Sequence, residues 1–89
     1  MKTIELKIIN KLGLHARAAA KFVATASRFS SDITVERNNR CINGKSIMGL
    51  MMLAAAKGTM IQVSAEGSDA EEALLALQTL VNKRFDEQE

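Results

Sequence analysis

The sequence contains no proline, tryptophan or tyrosine, and it has one cysteine and one histidine among 89 residues. Because an intramolecular disulfide needs two cysteines, the lone Cys41 excludes a disulfide-stabilised fold. With three phenylalanines as the only aromatic residues, the core must be filled mainly by Leu, Ile, Val, Met and Ala. Since there is no proline, slow prolyl isomerisation does not limit folding.

A long apolar run and a strong excess of one charge are also missing. No stretch approaches the roughly 20 apolar residues that span a bilayer, and no signal-peptide pattern is present, so we expect no membrane insertion and a reducing cytoplasmic location. Lys and Arg number 12 against 10 Asp and Glu, a net charge of +2 that is too balanced to indicate a nucleic-acid partner. Basic residues nevertheless prevail before residue 46 and acidic residues after it.

The hydrophobic pattern predicts one α+β domain spanning residues 1–89. Apolar and polar residues alternate, as in half-buried strands, over residues 3–8, 33–36, 40–42 and 60–66. Helical spacing begins at Ala16, at Ile47 and after a capping box formed by Ser68 and Glu71. Because each strand has one polar face, we expect helices to cover one side of the sheet. The charged C-terminal residues are expected to fray.

His15 falls where the strand pattern gives way to the helical one. A helix N-terminus presents backbone N–H groups without partners and the positive end of a dipole, which together stabilise a phosphate. A neutral imidazole nitrogen is a nucleophile. The backbone N–H of Ala16 and the guanidinium of Arg17 can then hold the phosphoryl oxygens. This stretch therefore predicts an exposed site that carries phosphate on His15, whereas the simpler alternative is a surface histidine bordering a helix.

The sequence gives little indication of a metal site, a hydrolase or a reactive cysteine. With one histidine and a single cysteine distant from it, no zinc or other metal site is expected. No Ser/His/Asp arrangement indicates a hydrolase. Cys41, in a short return strand at the sheet edge, is expected to be inert.

Ser46 precedes the second helix, so the simplest interpretation is an N-cap. A phosphate at that position would be tolerated by the helix and would place a dianion beside an apolar surface. We expect Lys45 to be a solvated charge.

The second helix is rich in methionine. We expect Met51 to fill the core and at least one of Met48 and Met52 to be exposed, since methionine suits surfaces that meet several partners. With Arg17, Lys21 and Lys45 at its rim, this surface would attract acidic partner proteins.

Several motifs occur in a specific joint spacing, namely Gly13-Leu14-His15-Ala16-Arg17, Ala19-Ala20, Asn43-Gly44-Lys45-Ser46-Ile47-Met48, Lys57-Gly58-Thr59 and Ala65-Glu66-Gly67. In these motifs the whole chain resembles the HPr family, histidine-containing phosphocarrier proteins of the bacterial phosphoenolpyruvate-dependent sugar phosphotransferase system. The resemblance implies an HPr-like open-faced β-sandwich, with a four-stranded antiparallel sheet and three helices on one face in the order βαββαβα.

By position, the resemblance implies that enzyme I phosphorylates His15 at Nδ1, that Arg17 stabilises the product, and that a IIA protein receives the group. The chain would be a stoichiometric carrier rather than an enzyme, without a cofactor, and phosphoenolpyruvate would be the ultimate phosphoryl source. Ser46 matches a serine that an ATP-dependent HPr kinase/phosphorylase modifies in many bacteria. Ile47 and Met48 match the apolar pair that partners pack against. A monomer is the default for a shuttling carrier.

One position departs from the family pattern, because Ala18 stands where the family usually has proline. In the first helical turn a missing N–H costs nothing, so proline is well tolerated there. We expect the alanine to affect the rate of transfer rather than its mechanism.

Three alternatives stay open. An NPr-type carrier of the nitrogen-related phosphotransferase system would have the same site, and the Asn10-Lys11-Leu12-Gly13 stretch and the methionine-rich helix are reminiscent of that branch. A purely regulatory module would depend on Ser46 alone. A small RNA-binding module would need exposed aromatic residues or a Gly-x-x-Gly clamp, which the spacing of Gly44 and Gly49 does not provide.

Overall fold

The computed structural model describes all 89 residues. Its elements are β1 (Lys2–Lys7), α1 (Ala16–Ala26), β2 (Asp32–Arg37), β3 (Arg40–Asn43), α2 (Ile47–Met52), β4 (Met60–Glu66) and α3 (Ala70–Asn82), followed by a left-handed turn at Arg84–Asp86. This is the order that the sequence predicts. None of the helices combines the length and the apolar character that crossing a membrane requires.

The four strands form one antiparallel sheet in the order β1-β4-β2-β3. Strand β4 pairs with both β1 and β2, so that Val63 lies opposite Ile4 on one side and Val35 on the other. Cys41 lies on the edge strand β3 and is exposed. The predicted α+β fold with a four-stranded antiparallel sheet is therefore confirmed.

One face of the sheet is buried beneath the helices. Alternate residues of β4, Ile61, Val63 and Ala65, are buried, whereas Gln62 between them is exposed. The helices complete a core of 21 buried hydrophobic residues, in which Phe22 and Phe85 are the largest fully buried side chains. The opposite face of the sheet stays polar, which makes the sandwich open-faced.

The start of α3 differs from the prediction. No capping box forms between Ser68 and Glu71, because the helix begins at Ala70 with Asp69 as its N-cap residue. The Asp69 carboxylate does not cap its own helix. It accepts the backbone N–H groups of Ser30 and Ser31 at 2.9 and 3.0 Å and both of their hydroxyls, which ties α3 to the turn before β2.

The C-terminal segment, defined as residues 84–89, is folded back onto the domain, so the predicted fraying is wrong. Phe85 is fully buried in the core. Arg84, Phe85 and Asp86 all have positive φ angles of 53–64°, which turn the chain sharply after α3. The backbone N–H of Lys11 then donates to the carbonyl of Glu89 at 2.6 Å. The buried aromatic ring thus anchors a charged segment beside the loop that precedes α1.

We predict that Asp69 makes the protein sensitive to acid. Hydrogen bonds from the Ser31 hydroxyl and the Ser30 N–H lower the pKa of Asp69 from 3.8 to about 2. Because the folded-state pKa lies below the unfolded one, this stabilisation is present above pH ~4 and is lost as the pH falls towards ~2. Urea unfolding followed by circular dichroism should therefore show a smaller stability loss between pH 4 and pH 2 in Asp69→Asn than in the wild type.

Asp32→Asn is the control for this experiment, since Asp32 is an exposed carboxylate in the same region. It should keep the wild-type pH dependence. An identical acid slope in the wild type and Asp69→Asn would contradict the assigned role.

Candidate functional site

His15 is the N-cap residue of α1. Its backbone carbonyl accepts the N–H of Ala19 at 2.8 Å and so starts the helical hydrogen bonding. The side chain makes no capping hydrogen bond. The backbone N–H groups of Ala16 and Arg17 therefore donate to no protein atom and remain available to an anion, as the sequence predicts.

The loop before His15 is fixed by backbone contacts. Gly13 has a φ of +66°, and a Cβ on it would lie 2.5 Å from the carbonyl oxygen of Ala55. The N–H of Leu14 donates to that same oxygen at 2.9 Å. Buried Asn10 donates its side-chain N–H to the Gly13 carbonyl at 2.8 Å. These contacts hold the chain that delivers His15 to the start of α1.

The C-terminal segment supplies a partner for His15 that the sequence does not predict. Oε2 of Glu87 lies 2.5 Å from Nε2 of His15, and Oε1 accepts a hydrogen bond from Nδ2 of Asn10 at 3.1 Å. The side chains of His15 and Glu87 are 26% and 15% exposed. The ring is thus partly covered rather than fully open as predicted. No spacing rule relates two residues 72 positions apart, so only the fold reveals this contact.

The two charged side chains beside His15, Glu87 and Arg17, differ in whether they have partners within the chain. Burial raises the pKa of Glu87, but hydrogen bonds from Asn10 and His15, together with the charges of His15 and Arg17, outweigh it and hold the pKa below its ordinary value. Arg17 is exposed, lines the depression beside His15 and makes no salt bridge. It is therefore available to bind an anion at the helix start.

The predicted basic rim is only partly present, because both of its lysines have intramolecular partners. Nζ of Lys21 donates to the carbonyl of Phe85 at 2.8 Å. Nζ of Lys45 donates to the carbonyl of Phe29 at 2.8 Å, so the expectation of a solvated charge at Lys45 is wrong. Each ammonium group thus donates to a backbone carbonyl of this chain.

Ser46 is the N-cap of α2, as predicted. Its Oγ accepts the backbone N–H of Gly49 at 3.0 Å. A Cβ added to Gly49 would lie 3.2 Å from that Oγ, so the glycine leaves room for the cap.

We call the exposed apolar residues of α2, namely Ile47, Met48, Met51 and Met52, the α2 patch. Met48 and Met52 are 75% and 61% exposed, which confirms that methionine reaches the surface. Met51 is 44% exposed, so its predicted core position is wrong. Leu50 is the buried residue of this six-residue helix. Because α1 and α2 pack against each other, the patch and His15 lie on neighbouring elements.

The fold is shared with a known class of phosphate-handling proteins. Residues 2–83 match the family model described as the PTS HPr component phosphorylation site. The phosphocarrier protein HPr of Neisseria meningitidis is 58% identical over 84 residues, which are 94% of each chain. The chain therefore belongs to the HPr family of the phosphotransferase system, whose members are phosphocarriers rather than catalysts.

Solved structures give the same result. The crystal structure of HPr-C-His from Thermoanaerobacter tengcongensis aligns with a TM-score of 0.96 and 52% identity over 100% of both chains. HPr from the same organism is also described as a dimer, and that structure aligns with a TM-score of 0.79 and 53% identity over 98% of this chain and 100% of that one. For the present protein, the monomeric state stays a prediction.

Gly13→Ala tests whether the loop geometry supports the site. A positive φ costs a non-glycine residue about 1–3 kcal/mol, and the Cβ would also collide with the Ala55 carbonyl, which is backbone and moves little. Gly58→Ala is a matched control, since Gly58 has a φ of +91° but no atom within 4 Å of an added Cβ. We expect Gly13→Ala to lose about 1 kcal/mol more unfolding free energy in urea than Gly58→Ala. Equal losses would show that the contact with Ala55 is unimportant.

Proposed function

We propose that this chain carries a phosphoryl group on Nδ1 of His15, which it accepts from phosphorylated enzyme I and passes to a IIA protein in the cytoplasm. The observation that supports this most directly is the position of His15 as an N-cap whose ring does not cap the helix. A group bound to the ring then meets the N–H groups of Ala16 and Arg17, which have no other partner.

The transfer step uses the lone pair of Nδ1, the ring nitrogen that makes no hydrogen bond. This pair forms the new N–P bond while the bond between phosphorus and the donor atom of enzyme I breaks, and the donor keeps that electron pair. Passage to the IIA protein is the same displacement with this chain as the donor. The phosphoryl group moves from one nitrogen or other donor atom to the next without a change of oxidation state, so the atoms and charges balance within the pair of proteins.

Arg17 and the helix start supply the electrostatic stabilisation in this scheme. The phosphoryl oxygens carry negative charge, and the partial positive charge at the N-terminus of α1 favours them. The exposed guanidinium of Arg17 can add charge-assisted hydrogen bonds to the same oxygens. The carrier must both accept and release the phosphoryl group. Moderate rather than maximal stabilisation of the phosphorylated state by Arg17 and the helix N-terminus therefore suits a carrier.

Partner binding is assigned to the α2 patch next to the site. Ile47, Met48 and Met52 are 41%, 75% and 61% exposed, so each has apolar surface that a partner can contact. Flexible methionine side chains adapt to more than one surface, as contact with both a donor and an acceptor protein requires. Lys21 and Lys45 can contribute to such contacts through their positive charge, although their ammonium groups already bind carbonyls of this chain.

Incubation with phosphoenolpyruvate and enzyme I tests the carrier function. Intact mass spectrometry should show one acid-labile phosphate on the wild type and none on His15→Ala. Arg17→Ala should be labelled roughly 10–100-fold more slowly, since a hydrogen bond to a charged group contributes about 1.5–3 kcal/mol. Arg28→Ala is the matched control, because exposed Arg28 follows the same helix, lies over the Phe29 ring and does not line the depression beside His15.

The outcomes of this experiment are distinct. Labelling of His15→Ala at the wild-type level would overturn the assignment of the acceptor. Faster labelling by the nitrogen-related enzyme I than by the sugar-system enzyme would assign the chain to the NPr branch, whereas the similarity to HPr proteins favours the sugar system.

We further propose that an HPr kinase/phosphorylase regulates the carrier through Ser46. Phosphate there adds about −1.5 to −2 charges at the start of α2, directly beside the α2 patch. The helix dipole tolerates this charge, so the fold should persist while an acidic partner is repelled.

Ser46→Asp and Ser46→Ala separate the charge from the loss of the cap. Both variants replace the Oγ that accepts the Gly49 N–H, and the alanine should cost about 1 kcal/mol of stability. We expect Ser46→Asp to slow enzyme I-dependent labelling of His15 and Ser46→Ala to leave it near the wild-type rate. The kinase should modify the wild type but not Ser46→Ala. Unchanged labelling of Ser46→Asp would argue against regulation at this position.

A further inference from the structure

The His15 ring is bound on one side by a carboxylate that is itself held in place. Glu87 uses both oxygens, Oε2 on His15 Nε2 and Oε1 on Asn10 Nδ2. Asn10 is fully buried, and its Nδ2 also donates to the carbonyl of Gly13. The side-chain amide of Asn10 is thus oriented by the backbone, so that it holds one Glu87 oxygen while the other faces the ring.

The segment that carries Glu87 is anchored independently of His15. Phe85 is fully buried, and its carbonyl accepts Nζ of Lys21 at 2.8 Å. Beyond Glu87, the Glu89 carbonyl accepts the backbone N–H of Lys11. Glu87 therefore lies between two attachment points of the C-terminal segment, so its carboxylate meets the ring in a defined orientation.

The protonation states of Glu87 and His15 follow from which of their atoms can donate a hydrogen bond and which can accept one. The pKa of Glu87 lies below its ordinary value, because the hydrogen bonds from Asn10 and His15 outweigh the cost of burial, so the carboxylate is ionised at neutral pH. An ionised carboxylate only accepts hydrogen bonds. Nε2 must then carry the ring hydrogen, and a neutral imidazole has only one, which leaves the lone pair on Nδ1.

We propose that Glu87 is a positioning residue that fixes His15 in the Nε2–H tautomer and so reserves Nδ1 for the phosphoryl group. This rests on the proposed carrier function. When the N–P bond forms at Nδ1, Nε2 keeps its hydrogen and the ring becomes positively charged. The ionised Glu87 then faces that charge at hydrogen-bonding distance and stabilises the phosphorylated ring.

The Glu87→Gln variant distinguishes a role in fixing the His15 tautomer from a purely structural role of Glu87. The glutamine side chain has one acceptor and one donor end. Because Asn10 presents a donor, the amide oxygen of the glutamine should face Asn10 and its NH₂ group should face His15. The ring would then have to accept at Nε2 and carry its hydrogen on Nδ1, where the nucleophilic lone pair is required.

The measurement is long-range ¹H–¹⁵N NMR of the unphosphorylated, ¹⁵N-labelled full chain at a pH where the His15 ring is neutral. We expect the Nε2–H form in the wild type and a shift towards the Nδ1–H form in Glu87→Gln. Enzyme I-dependent labelling of Glu87→Gln should fall by roughly 10–100-fold, the loss seen when the hydrogen-bond partner that orients a metal-ligating histidine is removed. Glu89→Gln is the matched control, because its side-chain carboxylate lies 3.9 Å from Nζ of Lys11, whereas the ring is hydrogen-bonded by Glu87.

The outcomes are separable from those of the carrier experiment. A mixture of tautomers in the wild type, or the same tautomer in the wild type and Glu87→Gln, would overturn the role of Glu87 whether or not His15 is phosphorylated. If Glu87→Gln failed to fold, Glu87→Ala would replace it in the test. His15 should then be a mixture of tautomers in Glu87→Ala and the Nε2–H form in the wild type. Failure of the wild type to accept phosphate, with the Nε2–H tautomer present, would count against the carrier function alone.

Discussion

The burial of one face of α1 determines where that helix begins, and the whole candidate site is built from that point. Ala18, Ala19, Phe22 and Ala26 are fully buried, so the helix can neither rotate nor slide without exposing apolar surface or opening cavities. The alanines allow close approach and Phe22 fills the interior. His15 therefore becomes the N-cap residue, with the unpaired N–H groups beside it.

The other half of the site comes from the opposite end of the chain. Buried Phe85 brings the C-terminal segment back towards the loop before α1, and this places Glu87 on Nε2 of His15. Nε2 of the ring is thereby hydrogen-bonded to a carboxylate, whereas Nδ1 has no hydrogen-bond partner. A small domain can in this way distinguish two chemically similar nitrogens without a cofactor, because the fold supplies a charged hydrogen-bond acceptor on one side only.

The sequence could predict those features that depend on local rules. Alternation along the strands, the N-cap at Ser46 and the helix start at His15 are set by near neighbours, and the structure reproduces them. Contacts between distant segments were beyond such rules. Asp69 serves Ser30 and Ser31 rather than its own helix, Lys45 reaches the Phe29 carbonyl, and Glu87 meets His15 across 72 positions. In each case the hydrogen-bond partner is distant in the sequence and comes close only through tertiary packing.

The most direct test of this account is to identify which ring nitrogen of His15 carries the phosphoryl group. Correlation of ³¹P with ¹⁵N in the ring of the enzymatically phosphorylated, ¹⁵N-labelled protein provides the answer. We predict a bond to Nδ1 with the hydrogen retained on Nε2, where Glu87 accepts it. A phosphoryl group on Nε2 would contradict the account, because it would require the contact with Glu87 to break before transfer.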